Sequence, residues 1–302
     1  AADAIASIRR TGMDKETVNN CYIIDESRHL LGVVSLRGIV MAREDARMQD
    51  IMETNVISVT TQEDQESVAR LFSLYDLNVL PVVDTENRMV GIVTVDDAID
   101  VIEEETTEDI SKMAAITPSD RPYLKTSVWM LWKSRIPWLL LLMLSATFTG
   151  MIITHFEGVL SFSIALTAAI PMLMDTGGNC GSQSSVTVIR SLSLGELHFK
   201  DLFKVWWKEA RVAVMCGVTL AVANFVKLLL IERVGVPIAL TICLTLCVTV
   251  FIAKMVGCTL PILADKLGFD PAVMASPFIT TIVDALALLI YCGFAGMILG
   301  LA

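Results

Sequence analysis

Asp284 places a carboxylate in the middle of an apolar stretch, ITTIVDALALLIY at residues 279–291. A charged side chain that faced lipid at this depth would cost roughly 3 kcal/mol or more. Thr280 lies one helical turn before Asp284, so small side chains on this face would leave space beside the carboxylate. We therefore expect Asp284 to face a polar path or to pair with a cation, for which Lys227 and Lys254 are the candidates.

A second apolar segment is interrupted by polar and small residues, PMLMDTGGNCGSQSSVTV at residues 171–188. Its proline and glycines predict a loosened helix. Irregular backbone at membrane depth is tolerated only where protein buries it or water lines it. Four of its residues fall on one face at helical spacing: Asp175, Gly178, Ser182 and Ser185. This face suits a hydrated cation path, and the alternative is a small-residue face for close helix packing.

A third group of carboxylates forms an acidic run, VDDAIDVIEEETTEDI at residues 95–110. Asp97, Asp100, Glu104 and Glu108 share one helical face at this spacing. Like charges four residues apart destabilise a helix slightly, so a face of this kind often meets cations, either basic side chains or metal ions. A solvated helix face is the alternative interpretation.

Charge and hydropathy divide the chain into two halves. Its 302 residues are 54% hydrophobic, with a mean hydropathy of +0.63, which is too apolar for an ordinary soluble protein. Residues 1–120 carry 24 acidic and 10 basic side chains, whereas residues 121–302 carry 9 acidic and 13 basic ones. The basic side chains are too sparse for a nucleic-acid surface, so no nucleic-acid partner is expected.

The acidic half contains an internal repeat. CYIIDESRHLLGVVSLRGIV (21–40) and LPVVDTENRMVGIVTVDDAI (80–99) both predict a strand, a turn that begins with Asp, a strand and a helix start. The pattern resembles a tandem pair of CBS domains, which often bind adenine nucleotides. In the second copy Thr94 and Asp97 match the ribose-contacting signature of such domains, whereas Gly38 replaces the acid in the first copy. The alternative is that Thr94 only caps the following helix.

Five apolar segments follow, and each reaches the roughly 20 residues needed to cross a bilayer. They span residues 136–153, 160–189, 212–231, 236–263 and 272–301. Basic residues precede the first segment and follow the second, so the acidic half is predicted to be cytoplasmic and the C-terminus extracellular. Between the acidic half and the first segment, the sequence predicts a connecting helix, a proline break and an amphipathic helix.

The CBS pair, the acidic connector, the five segments and the motifs DTGGNCGSQS and ITTIVDALALL together resemble the MgtE family of magnesium channels. The resemblance covers essentially the whole chain, although the family's N-terminal acidic domain and the start of the first CBS copy are missing. It implies a homodimer whose second and fifth segments line one pore. The implied pore residues are Asp284, Thr280, Gly178, Asn179, Asp175 and Ser182, the last standing where many members have Asn. The implied cytosolic Mg²⁺ sensor consists of Asp97, Asp100, Glu104, Glu108, Asp96 and Asp109.

We therefore expect a multi-domain fold, an α/β tandem CBS pair followed by an all-α five-helix transmembrane domain. The predicted divisions are 1–47 for an incomplete first CBS domain, 48–105 for the second, 106–132 for a connecting helix and 133–302 for the channel. The expected function is not enzymatic: it is Mg²⁺ uptake across the cell membrane, gated by intracellular Mg²⁺, with ATP as a further ligand of the CBS pair. The alternatives are a CBS-regulated transporter of Mn²⁺ or Co²⁺ and a nucleotide-gated transporter of another solute.

Overall fold

The computed structural model describes residues 1–119, 121–274 and 276–300. The chain divides into two compact units, Ala1–Thr106 and Thr107–Ala302. The helices up to the end of the acidic run are α1 (Ala2–Thr11), α2 (Leu36–Met41), α3 (Met48–Ile51), α4 (Gln65–Tyr75) and α5 (Val95–Met113). The helices that follow are α6 (Val128–His155), α7 (Glu157–Leu160), α8 (Ile164–Ser193), α9 (Leu202–Leu230), α10 (Val236–Lys266) and α11 (Ser276–Leu299).

The first unit contains two small sheets. Strands β1 (Asn20–Ile24) and β2 (Leu30–Ser35) form an antiparallel pair. Strands β3 (Val59–Thr60), β4 (Val79–Val83) and β5 (Met89–Thr94) form a second sheet, in which β4 pairs with β3 in parallel and with β5 antiparallel. The second sheet packs against α4 and α5 through a buried cluster that includes Val59, Phe72, Leu80 and Ala98.

The two sheets confirm the internal repeat. Ile23 pairs with Gly32 in the first hairpin as Val82 pairs with Gly91 in the second, and the register shifts immediately after each of these pairs. The turns also match, because Asp25 accepts a hydrogen bond from the backbone N–H of His29 at 2.8 Å and Asp84 accepts one from Arg88 at 2.8 Å. An aspartate that closes its own turn in this way explains why both copies carry Asp at this position.

The second unit is a bundle of long helices. α10 packs against α8 and α9, and α11 packs against α8 and α10. Their core includes Leu166, Ile242, Val250 and Leu288. The hydroxyl of Tyr291 on α11 donates a 2.9 Å hydrogen bond to the carbonyl oxygen of Leu166 on α8. Within the residues that the structure describes, α6, α9, α10 and α11 are long and apolar enough to cross a membrane.

The structure corrects two predictions about these helices. α8 runs unbroken for 30 residues through Pro171, so the predicted loosening of this segment is wrong. Its glycines serve close helix packing instead, and neighbouring helices support the backbone. The predicted amphipathic helix is also not separate, because α6 is one helix from Val128 that contains Pro137 and continues into the first apolar segment. Ser127 begins this helix by accepting a hydrogen bond from the backbone N–H of Met130.

Candidate functional site

Asp284 lies on α11 as a half-buried carboxylate. Its Oδ1 atom is buried and has no hydrogen-bond partner among the described residues. Asp175 on α8 is an electrostatic neighbour of this carboxylate. The two lysines considered as partners are bound elsewhere, since Lys227 pairs with Glu232 at 2.9 Å and the ammonium of Lys254 contacts Ser184 and Glu209. The ion pair of Asp284 with either lysine, the alternative to a polar path, therefore does not form among the described residues.

Glycines on α8 bring this helix against α11 near Asp284. A Cβ atom on Gly178 would lie 3.0 Å from the Cγ2 atom of Thr280, one helical turn before Asp284. A Cβ atom on Gly177 would lie 2.9 Å from Val283 and 2.8 Å from Thr249 of α10. Larger residues at these two positions would push α8 away from α11. The structure thus packs Gly178 against Thr280, one helical turn before Asp284, and the small-residue interpretation of this stretch holds for these glycines.

The polar residues of α8 separate into two groups. Gly178 and Ser185 are buried, whereas Asp175 and Asn179 are exposed and Ser182 is half-buried. Gln183, four residues after Asn179, is also exposed. The predicted common face of Asp175, Gly178, Ser182 and Ser185 is therefore divided between the core and the outside of the bundle. An exposed polar stripe on a helix at membrane depth would require water or another protein surface beside it. Within the described residues, α8 is not among the four helices that are long and apolar enough to cross a membrane.

Hydroxyl groups near these glycines add to the polar character of the bundle interior. The hydroxyl oxygens of Ser185 on α8 and Thr249 on α10 are buried without hydrogen-bond partners within the described part of the chain. Thr249 was not identified from the sequence, because a threonine in an apolar helix usually bonds the carbonyl four residues before it. Thr245, one turn earlier, does bond the carbonyl oxygen of Thr241 in this way, at 2.8 Å.

The acidic residues of α5 have different surroundings. Asp96, Asp97, Asp100 and Glu104 are exposed. Glu108 instead forms an ion pair, in which the Nζ atom of Lys112 lies 2.5 Å from its carboxylate. Over the described ranges, no three His, Cys, Asp or Glu side chains converge closely enough to hold a metal ion. A metal at these carboxylates would therefore need ligands beyond those that one copy brings together.

Lys112 joins α5 to the loop before α11, and the sequence did not single it out. Its Nζ atom also lies 2.6 Å from the Oδ2 atom of Asp270. Burial alone would lower the pKa of Lys112, but hydrogen bonds to Asp270 and Glu108 outweigh burial and raise the pKa above its ordinary value. Asp109 on the same helix accepts a 3.4 Å hydrogen bond from the hydroxyl of Ser193 at the end of α8. Two of the predicted sensor residues therefore make contacts inside the second unit.

The two residues of the predicted nucleotide signature are hydrogen-bonded to each other beside a cavity. The hydroxyl of Thr94 donates a 2.8 Å hydrogen bond to Asp97 Oδ2, and the backbone N–H of Thr94 lies 3.4 Å from the same atom. Asp97 also lines a cavity of about 260 Å³, together with Thr60, Glu63 and Val82. The Asp97 carboxylate thus accepts both hydrogen bonds from Thr94, the residue before α5, and the cavity leaves room for a ligand next to this pair.

Comparison with known proteins identifies both units. Residues 170–294 match the family model MgtE, described as a divalent cation transporter, and residues 48–104 match the CBS domain model. The magnesium transporter MgtE of Thermus thermophilus is 41% identical over 303 residues, which is 98% of this chain and 66% of that protein. The magnesium transporter MgtE of Bacillus subtilis is 37% identical over 97% of this chain and 64% of its own length.

A solved structure gives a further likeness. The cytosolic domain of the Mg²⁺ channel MgtE in complex with ATP is 48% identical over 33% of this chain and 40% of its own, with a TM-score of 0.33. The chain spans about two thirds of the length of the curated relatives it matches. These relatives cover both the CBS region and the helical bundle of this chain. The chain therefore belongs to the MgtE family.

Proposed function

We propose that this chain conducts Mg²⁺ across a membrane and that the ion passes beside Asp284. The observation that carries this proposal is the buried Asp284 Oδ1 atom, which has no hydrogen-bond partner among the described residues. A buried carboxylate without a partner is strongly destabilising, by about 3–5 kcal/mol in proteins where one member of a pair is removed. A hydrated cation beside the carboxylate would remove this penalty. The family membership supports the same ion class, since the relatives are named magnesium transporters.

The chemistry of the ion favours a site that holds its water shell. Mg²⁺ prefers six oxygen ligands in an octahedron and gives up water reluctantly. A carboxylate can accept hydrogen bonds from the bound waters, and Thr280, one helical turn before Asp284, supplies a further oxygen atom on the same side of α11. Two Asp284 carboxylates from two copies would favour a dication over a monovalent ion by charge. The exposed stripe of Asp175 and Asn179 supports a homodimer, because a second copy would shield it from lipid.

The test is ion flux into liposomes that contain the full chain. Asp284→Asn keeps the size of the side chain and removes its charge, and we expect it to reduce Mg²⁺ flux at least about tenfold. Asp265→Asn is the matched control, because Asp265 is exposed near the end of α10. Mn²⁺ and Co²⁺ measured in the same assay test the alternative ions. Unchanged Mg²⁺ flux in Asp284→Asn would remove Asp284 from the path.

Regulation by internal Mg²⁺ is a further part of the proposal. A dication that crosses 100 mV gains about 4.6 kcal/mol, which supports roughly a thousandfold accumulation. An open path would therefore overload the cell, and the acid excess of residues 1–120 supports a sensor on the cytoplasmic side. The exposed carboxylates of Asp97, Asp100 and Glu104 are available for this role. If a Mg²⁺ titration leaves the protease sensitivity of residues 100–130 unchanged, the sensor proposal fails.

Binding of ATP to the CBS pair is proposed on the cavity beside Asp97. Its lining combines apolar side chains such as Val82 and Val101 with the polar groups of Thr60 and Asp97. This combination suits a base between apolar walls and a ribose hydroxyl at a carboxylate. Isothermal titration of the full chain with ATP and with GTP measures both affinity and base selectivity. Equal weak binding of both nucleotides would contradict a specific adenine site.

A further inference from the structure

Lys254 carries a charge deep inside the helical bundle. Its side chain on α10 is 6% exposed. The ammonium donates a 3.1 Å hydrogen bond to the hydroxyl oxygen of Ser184 on α8 and lies 3.5 Å from Glu209 Oε2 on α9. Ser184 in turn donates a 2.6 Å hydrogen bond to the same Glu209 oxygen. Three helices thus meet in one closed polar cluster, the Ser184–Glu209–Lys254 cluster, which the transport proposal does not use.

The cluster lies about two helical turns along α8 from the level of Asp284. Gly177 packs against Val283, the residue before Asp284, and Ser184 lies seven residues farther along α8. Seven residues correspond to about 10 Å of helix. Ser184 also lies on the side of α8 opposite the exposed Asp175, at about half a turn of the helical wheel. The ammonium of Lys254, which contacts Ser184, therefore lies on the side of α8 that faces away from the exposed Asp175.

We propose that Glu209 is a positioning residue for cation transport: it neutralises the ammonium of Lys254, so that no net positive charge opposes a dication near Asp284. This inference rests on the proposed function. Glu209 is suited to this role because its carboxylate is 16% exposed and is the acidic group within 4 Å of Lys254 among the described residues. The hydroxyl of Ser184 aligns the pair, since it donates to the carboxylate and accepts from the ammonium.

Removal of the Glu209 charge should slow dication flux through electrostatic repulsion. With a separation of about 10 Å, taken from the seven-residue offset along α8, and an effective dielectric constant of about 20, an uncompensated ammonium lowers dication occupancy by a few hundredfold, roughly. Water beside the ion would screen part of this repulsion, so Glu209→Gln should lose at least about tenfold in Mg²⁺ flux. The double variant Glu209→Gln/Lys254→Met removes both charges, and its flux should return to within about threefold of the parent.

The experiment measures Mg²⁺ flux and the thermal midpoint of the parent, the single variant, the double variant and Glu232→Gln. The last is the matched control, because Glu232 pairs with Lys227 at 2.9 Å but about two fifths of each side chain is exposed. Recovery of flux in the double variant supports the proposal when Glu209→Gln loses flux at an unchanged thermal midpoint, because loss of a purely structural pair would lower that midpoint together with the flux. A folded double variant with at least tenfold lower flux, or full flux in Glu209→Gln, would overturn it. A parent without Mg²⁺ flux would overturn the proposed function itself, and this inference with it.

Discussion

Gly257 on α10 offers a sharp test of how α8 is positioned. A Cβ atom at this residue would lie 2.2 Å from the carbonyl oxygen of Gly181 on α8 and 2.9 Å from its carbonyl carbon. These atoms belong to the backbone of a continuous helix, so they cannot move aside as a flexible side chain can. The substitution Gly257→Ala must therefore separate α8 from α10.

The expected cost follows from this geometry. Extra atoms in a packed core cost about 1–3 kcal/mol, and a clash with backbone belongs at the upper end. Alanine recovers up to about 1 kcal/mol through its higher helix propensity. We expect a net loss of about 2 kcal/mol, which corresponds to a decrease in Tm of roughly 4–8 °C for a unit of this size. Mg²⁺ flux should fall as well, because the same contact positions α8 beside Asp284.

Gly150→Ala is the matched control for this prediction. Gly150 is also inside a long helix, α6, but no atom lies within 4 Å of a Cβ built on it. This variant should have an unchanged or slightly higher Tm, since only the helix propensity changes. Thermal unfolding of the full chain in detergent, followed by intrinsic fluorescence, compares the two variants. Equal Tm values for Gly257→Ala and Gly150→Ala would refute the packing argument.

Two further predictions concern contacts that join elements of the second unit. Lys112→Met leaves Glu108 and Asp270 facing each other without the ammonium and should lower the stability of this unit by about 1 kcal/mol, measured by thermal unfolding. Because the pKa of Lys112 is raised, the stabilisation that its charge provides is complete below the unfolded-state pKa of about 10.5. This stabilisation is lost only as the pH rises through the raised pKa. The Tm difference between parent and variant should therefore be the same at pH 6 and pH 9, and a change between these values would contradict the ion pairs assigned to Lys112. Tyr291→Phe removes the buried hydrogen bond to Leu166 and should cost about 1 kcal/mol in the same assay, with no change in ion selectivity. An unchanged Tm would mean that this bond contributes nothing to the packing of α11 on α8.

Much of the fold could be predicted because the relevant signals are local. The two CBS copies share an aspartate that closes its own turn, as in Asp25 and Asp84, and this pattern is visible without any tertiary contact. The long helices could be predicted because runs of apolar residues exceed the length of a bilayer crossing. Pro171 misled the prediction because the effect of proline on a helix depends on the neighbours that support the backbone, and neighbours are not visible in a local stretch.

By itself, the sequence determined the two-part organisation, the repeated hairpins and the presence of a carboxylate at Asp284 within an apolar segment. The tertiary structure alone decided which partners each charge has. Lys254 and Asp284 are both suited to an ion pair by type, yet Lys254 contacts Ser184 and Glu209, and one Asp284 oxygen remains buried without a partner among the described residues. The physical reason is that the partner of a buried charge depends on how each helix is rotated and how far apart the helices lie. Glycine contacts between helices fix these positions to within about 1 Å, and the spacing of residues along the sequence does not specify positions that closely.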